Sequence, residues 1–469
     1  MNYFCLIEND QKCVKDIKSF YTKYFDEIQL EFISFLNLDE LYDWTKSDKK
    51  SDKKIELLIL TTDVLQILNV QELHKIKDLY NCSILLTCYD DPTKPLKQIE
   101  TWPIENIIFK PFDLAILEEQ MKASLFQTVK LKPTTVQISK ENFEIEKIRR
   151  QFFTAFCDYG FKLNSSTDFE IGKPYKFYHF LFENQKIQSL WVKPIYKQNF
   201  NYEFVFCYPQ KSVTTNIRKK INESTQKLKA IKLNGYEKFK NLIELHFAIE
   251  LADKEDTEII KKFFKDRYPK VKVTETNLAG YKPDPNLKFN LVIADFEYYQ
   301  TSFVKKFGTD PLYFHVNQCE LKDRILAEKI LSIETIRLTK PIDRYYLSRM
   351  ISAYFPNIFD ADPLITNWIE VNDEALYSQI VVAKEFSETS FNYERNSLLT
   401  RGSYQEFALP VDDETELKIL KARVHHIDTT PSSENLYSHQ VIFYSIRDNI
   451  LKRIRLWMHQ KYINKNGST

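Results

Sequence analysis

The chain has 469 residues, too many for one hydrophobic core, so three or four domains are expected. A formal charge of +1 removes any global electrostatic pull toward nucleic acid or an anionic membrane. Seven scattered cysteines without a C-x-x-C pair read as buried free thiols of a cytoplasmic protein, and the absence of any run of about 18 apolar residues excludes a spanning helix.

The N-terminus, MNYFCLIEND, reads as a strand rather than a signal peptide. Residues 3–7 are apolar and run into Glu8, Asn9 and Asp10, and a helical pattern follows from Val14 to Tyr24. Further apolar runs lie at 57–60, 84–87 and 107–109, the last ending in Lys110-Pro111-Phe112. Asp113 then stands where a helix cap is needed, before Leu114 to Leu125. Short apolar runs alternating with helical stretches predict a parallel sheet with helices on both faces.

The pattern next changes to period two. Residues 175–182, 187–195 and 202–207 read as antiparallel strands, and a basic helix follows over about 212–230. Both rhythms then recur. Runs at 246–251, 291–294, 312–316 and 335–338 surround a helix from Asp256 to Phe264, and Lys340-Pro341 and Asp343 precede a helix from Tyr345 to Tyr354. Strands are predicted at 379–384, 404–409, 417–425 and 440–445, with an amphipathic helix over 446–460. The period-two regions predict small β-barrels, each closed by a C-terminal helix. Candidate linkers are 130–140, 232–240 and 356–363.

The recurrence keeps a register. Lys110-Pro111 returns as Lys340-Pro341, 230 positions on (340 − 110), and the same offset carries Gly160 to Ser390 and Gly172 to Gly402. Toward the two C-terminal ends the offset becomes 237, taking Phe206 to Phe443 and Ile217 to Ile454. Two copies of a two-part unit predict four domains, at 1–128, 140–232, 243–356 and 364–469.

The two α/β parts resemble response-regulator receiver domains, of the flavodoxin-like class. In that family an acidic pair follows strand one, a phosphoacceptor Asp strand three, a Thr or Ser strand four, and a Lys-Pro strand five. The resemblance implies carboxylates that hold magnesium, an Asp that attacks phosphorus, and a hydroxyl and an ammonium that bind phosphoryl oxygens. In the first copy Glu8, Asn9, Thr87 and Lys110 match, but Thr61 stands at the acceptor position, with Asp63 two residues later. In the second, Asp295 is the candidate phosphoacceptor, with Lys340 and Glu250 beside it; the Thr position falls near Val316 or Asn317.

The β-rich parts are similar to PilZ domains, six-stranded barrels that bind cyclic di-GMP through Arg-x-x-x-Arg and Asp/Asn-x-Ser-x-x-Gly motifs. Arg149, Arg150, Asp158 and Gly160 are the candidate nucleotide-binding residues of the first, and Ser387 of the second. The two arginines are adjacent rather than spaced, and residues 357–380 contain no Arg or Lys. A dianionic dinucleotide needs such a guanidinium clamp. No cofactor is therefore expected, magnesium and cyclic di-GMP each lacking part of its site.

His425-His426, adjacent on a predicted strand, should point to opposite faces and not share a metal. The basic helix Arg447 to Arg455 reads as a solvated face, and 48–54 as a charged surface loop. No hydrolase triad, P-loop or dinucleotide motif is present. These readings together predict a non-catalytic bacterial signalling adaptor that docks signalling or motility proteins and self-associates through the faces Thr87 to Phe112 and Val316 to Pro341. The alternative is an effector that responds to cyclic di-GMP or to phosphorylation; a transcription regulator is a third reading, without a helix-turn-helix to support it.

Overall fold

A computed structural model describes residues 2–24, 29–47, 54–61, 70–89, 101–133, 137–138, 143–179, 189–207, 215, 217–219, 221, 223, 229–230, 236–275, 288–295, 307, 311–317, 335–340, 342–359, 367–409, 419–432 and 434–466. In chain order the first part contains β1 (Asn2–Ile7), α1 (Gln11–Tyr24), β2 (Glu31–Phe35), α2 (Leu38–Ser47), β3 (Lys54–Thr61), α3 (Val70–Tyr80), β4 (Ser83–Tyr89), β5 (Asn106–Lys110) and α4 (Leu114–Leu125). Then come β6 (Gln137–Ile138), β7 (Phe143–Cys157), β8 (Gly160–Asn164), β9 (Tyr175–His179), β10 (Ser189–Gln198), β11 (Asn201–Phe206) and β12 (Lys229–Ala230). The third part has β13 (Leu245–Glu250), α5 (Lys254–Arg267), β14 (Val271–Glu275), β15 (Leu291–Asp295), β16 (Leu312–Asn317), β17 (Thr335–Thr339), α6 (Arg344–Tyr354) and α7 (Pro356–Phe359). The last has β18 (Asn367–Lys384), β19 (Phe386–Ser387), β20 (Ser390–Arg395), β21 (Tyr404–Ala408), β22 (Ile419–Ile427), β23 (Tyr437–Tyr444) and α8 (Asp448–Asn466).

The chain divides into two compact units, residues 1–148 with 380–469, and residues 149–379. Each unit joins one α/β part to the β-rich part of the other sequence repeat, and the boundaries fall inside β7 and β18.

In the first unit a parallel sheet has the order β2-β1-β3-β4-β5, the doubly wound flavodoxin-like order. Asp10 starts α1 by accepting the Lys12 amide at 2.9 Å. Cys13, Val14, Ile17, Phe20 and Tyr21, at helical spacing, then cover Phe4, Leu6, Leu57 and Ile59 on one face, with Leu117 and Met121 of α4. Leu41, Leu73 and Ile76 of α2 and α3 cover Cys5, Ile7, Leu58 and Leu60 on the other. Each such buried aliphatic side chain contributes roughly 2 kcal/mol relative to exposure. The antiparallel part is the ladder β18-β20-β23-β22-β21-β7. Its core is aromatic, with Phe386, Phe391, Phe407 and Phe443 beneath Ile454, Trp457 and Met458 of α8.

The second unit repeats the plan. Its parallel sheet is ordered β14-β13-β15-β16-β17, and its ladder runs β18-β9-β10-β11-β8-β7. Here one continuous core joins the two parts: Tyr159, Trp191 and Trp368 share it with Leu347, Met350 and Ile351 of α6. The described residues between 215 and 223 are helical, within the expected basic helix.

β7, β8 and β20 were not among the predicted strands. In β7 the charged Glu146 and Lys147 are buried and Arg149-Arg150 follow, so no clean alternation shows. Most of the 48–54 loop, Asp63 and Pro341 lie outside the described residues. Six cysteines are free and buried; burial pushes the thiols of Cys5 and Cys207 up to about 12, which removes their nucleophilic form at neutral pH. Cys319 is outside the described residues. Among the described residues no helix is long and apolar enough to cross a membrane.

Candidate functional site

Parallel pairing brings strand ends together. Thr61 ends β3 and lies level with Thr87 of β4, while Lys110 ends β5 and Glu8 follows β1. These four side chains meet. Lys110 Nζ donates to Glu8 Oε2 at 2.6 Å, the Thr61 hydroxyl donates to the same oxygen at 2.5 Å, and the Thr61 and Thr87 hydroxyls are 2.9 Å apart. The Asp10 amide donates to Glu8 Oε1 at 3.0 Å. Glu8 is 1% exposed and Thr61 fully buried. Burial opposes ionisation of Glu8, but Lys110, Thr61 and the Asp10 amide outweigh it and hold the carboxyl below its ordinary range. Lys110 also lies over the Tyr89 ring at 5.2 Å. Its peptide bond to Pro111 is cis.

The chemistry follows from that geometry. β3 presents a hydroxyl instead of a nucleophilic carboxylate, and the one carboxylate present, ion-paired and depressed in pKa, is a weak base for Thr61. The lysine that would meet a phosphoryl oxygen is already bonded. Asn9 is exposed and outside the network, and Asp10 is a helix cap.

At the second sheet Asp295 ends β15, level with Val316 of β16. Lys340 Nζ lies 2.9 Å from Asp295 Oδ1, and the Ala252 amide donates to Oδ2. Register settles two neighbours. Ile7 pairs with Leu60, and Glu250 with Ala294, so Glu250 stands at the level of Ile7 and Leu251 at that of Glu8. The carboxyl that feels Asp295 is instead Asp256, in the first turn of α5. Burial, then the charges of Asp253 and Asp295, raise its pKa, and Lys340 opposes them. The sequence reading missed Asp256 because a helical residue is not part of a strand-end motif. The fold resemblance implies magnesium, but the residues do not fit it: the first site offers one lysine-bound carboxylate, and among the described residues no group of three or more His, Cys, Asp or Glu could hold a metal.

The residues expected to meet a nucleotide have other partners. Arg150 Nη1 donates to both oxygens of Glu374, at 2.9 and 2.8 Å, and Arg149 lies near Tyr377. Asp158 is buried and accepts from Arg218 Nε at 2.9 Å and from Arg349. A side chain on Gly160 would place Cβ 2.1 Å from the Phe204 carbonyl oxygen, so this glycine is required by strand approach. Ser387 is buried at the end of β19, where its Oγ accepts the Ser390 amide at 3.0 Å.

Arg218 reaches further, donating through Nη1 to Asp343 at 2.8 Å. The same arrangement stands in the first unit: Arg455 donates through Nε to Glu388 at 2.7 Å and through Nη2 to Asp113 at 2.6 Å. Asp113 and Asp343 cap α4 and α6, the helices that follow the two lysines. Arg455 is therefore a fastener between the parallel-sheet part and the β-rich part of its unit, rather than part of a solvated face. The face Thr87 to Phe112, expected for self-association, is met in the first unit by β23: Asn106 Nδ2 donates to the Phe443 carbonyl at 2.9 Å, and the Ser445 amide to Asn106 Oδ1 at 2.9 Å.

His425 and His426 do not diverge. A register shift in β22 between Val424 and His426 lets His425 Nε2 reach Val129 O at 3.0 Å and His426 Nδ1 reach Thr128 O at 3.2 Å. Both rings meet one backbone segment, which explains their pairing without a metal.

A comparison with protein-family models finds no match, and neither does one with curated proteins. Among solved structures, a response regulator receiver protein from Burkholderia phymatum aligns over 28% of this chain and 100% of its own, at 12% identity and a TM-score of 0.23. A TM-score of that size carries no weight for fold or function.

Proposed function

We propose that the chain is a non-catalytic signalling adaptor, built from two receiver-like and two PilZ-like parts by internal duplication, that works by holding other proteins. One observation carries the reading: in the first parallel sheet, the lysine at the end of the last strand is bonded to the carboxylate of Glu8, and a threonine hydroxyl stands at the acceptor position. A phosphoryl group would have to displace that carboxylate. Arg150 and Asp158 are likewise spent on internal partners, which supports a β-rich surface that binds protein rather than dinucleotide. The duplication is supported by recurring bonds. Phe206 N donates to Tyr159 O at 2.8 Å and Phe443 N to Thr389 O at 2.7 Å.

A second reading has one observation in its favour. Asp295 stands at an acceptor position with Lys340 and Asp256 nearby, the parts of a phosphorylation-responsive effector. Small-angle scattering of the full chain separates the two. The adaptor keeps one profile when cyclic di-GMP, or beryllofluoride with magnesium, is added. A ligand-dependent change in radius of gyration would instead make the effector the working description.

A further inference from the structure

In the first unit a loop is held to the β-rich part through an imidazole. The Leu399 amide, in the loop between β20 and β21, donates to His439 Nε2 at 3.2 Å. An amide only donates, so Nε2 presents a lone pair, and Nδ1 carries the ring proton and donates it to the Tyr437 carbonyl at 2.9 Å. His439 is fully buried in β23, with its ring 5.6 Å from that of Tyr393 in β20, and it pairs with the uncharged Ile427 of β22. Leu399 packs on the aromatic core of the ladder. Imidazole is the acceptor most easily lost near neutral pH: a second ring proton takes the Nε2 lone pair and sets two N–H groups against each other. Burial lowers the His439 pKa, the Tyr437 carbonyl opposes it, and the cations Arg395 of β20 and Lys147 of β7 add to the lowering.

The second unit builds the same joint from another residue. β22 and β23 pair His426 with Gln440 just after a register shift between Val424 and His426, and β10 and β11 pair Tyr196 with Glu203 just after one between Pro194 and Tyr196. The offsets of 230 and 237 therefore hold through the joint, and they carry Leu399 to Phe169 (399 − 230) and His439 to Tyr202 (439 − 237). The Phe169 amide donates to the Tyr202 hydroxyl at 3.4 Å, the counterpart of the bond from Leu399 to His439. A hydroxyl keeps a lone pair for the amide while it donates its own proton, here to Asp168 at 3.3 Å. The same loop amide is thus held in one unit by an acceptor that a single proton removes, and in the other by one that retains its lone pairs.

We propose that His439 is a proton-sensitive latch on the loop between β20 and β21, a role that Tyr202 fills without a proton switch in the second unit. Protonation breaks the Leu399 bond and frees Leu399 to leave the aromatic core, beside Leu398, which is already 52% exposed. The sign is fixed by linkage. The folded-state pKa of His439 lies below its ordinary 6.5, so the latch is complete above about pH 6.5 and weakens as pH falls below that. Glu8 gives up its contribution only below about pH 4.5, so the two acid effects occupy separate windows. A chain built this way presents an apolar loop in mildly acidic conditions and covers it at neutral pH. The latch is separate from both lysine–carboxylate clusters, so it stands or falls without them.

The test is hydrogen–deuterium exchange of the full chain at pH 7.5 and pH 5.5, with rates corrected for the intrinsic pH dependence of exchange. Mass spectrometry reads peptides covering residues 396–403 and 166–173. The opening equilibrium of the first loop is expected to rise severalfold at pH 5.5, toward the limit of about tenfold that one proton sets over the pH unit below 6.5, while the second loop stays level. His439→Gln keeps an acceptor oxygen and removes the titrating ring, so it should level the first loop as well. His439→Tyr, the residue of the second unit, takes its place if the glutamine variant does not fold. Equal protection of residues 396–403 at both pH values in the wild type would overturn the proposal. So would an equal rise in both loops, or a rise that persists in the variant.

Discussion

Replacing Lys110 by alanine is expected to destabilise the first unit by about 3 kcal/mol or more. The substitution leaves Glu8, 1% exposed, without its cation, and removing one partner of a buried pair typically costs about 3–5 kcal/mol. Thr61 and the Asp10 amide still bond the carboxylate but cannot neutralise it. The double variant Glu8→Gln, Lys110→Met removes both charges and should recover most of the loss. The pH dependence has a defined sign. Glu8 is held below its ordinary pKa, so its contribution is complete above about pH 4.5 and is lost as pH falls from there through the lowered value. Lys110→Ala should abolish that acid-side slope. Urea midpoints at pH 7 and pH 3.5 measure both effects; a midpoint unchanged by Lys110→Ala would show that the pair does not hold the site.

Gly160→Ala is expected to be at least as damaging, on the order of 3 kcal/mol, the upper end for overpacking a core. The obstacle to a new Cβ is backbone: the Phe204 carbonyl oxygen at 2.1 Å, in the strand with which β8 pairs. No rotamer change relieves it; β8 and β11 must separate. Gly402→Ala serves as the contrast. That position has φ +77 but nothing closer than the Arg423 guanidinium at 3.4 Å, so it costs about 1–2 kcal/mol of backbone strain alone. Equal losses for the two would contradict the close approach, and with it the structural explanation of the motif glycine.

The parallel sheets were legible because each strand is a short apolar run bounded by polar residues, and Lys110, Lys340, Asp113 and Asp343 sit at fixed distances from those runs. Thr61 at the acceptor position was legible for the same reason. What was illegible depends on partners far along the chain. Arg455 meets Asp113 at a separation of 342 residues, so α8 alone gives no sign that one of its arginines is a fastener. The joining of each α/β part to the β-rich part of the other repeat is equally invisible to local pattern. Asp256 was missed because its relation to Asp295 crosses from helix to strand end, and His425-His426 because the register shift in β22 breaks the alternation on which the expectation rested.

The central claim is that the chain acts as an adaptor without accepting a phosphoryl group. Intact-protein mass spectrometry of the full chain after incubation with acetyl phosphate and magnesium tests it most directly. The expected result is no phosphoryl adduct on the wild type. An adduct that forms on the wild type and disappears in Asp295→Asn would contradict the claim and make the second sheet a working phosphoacceptor.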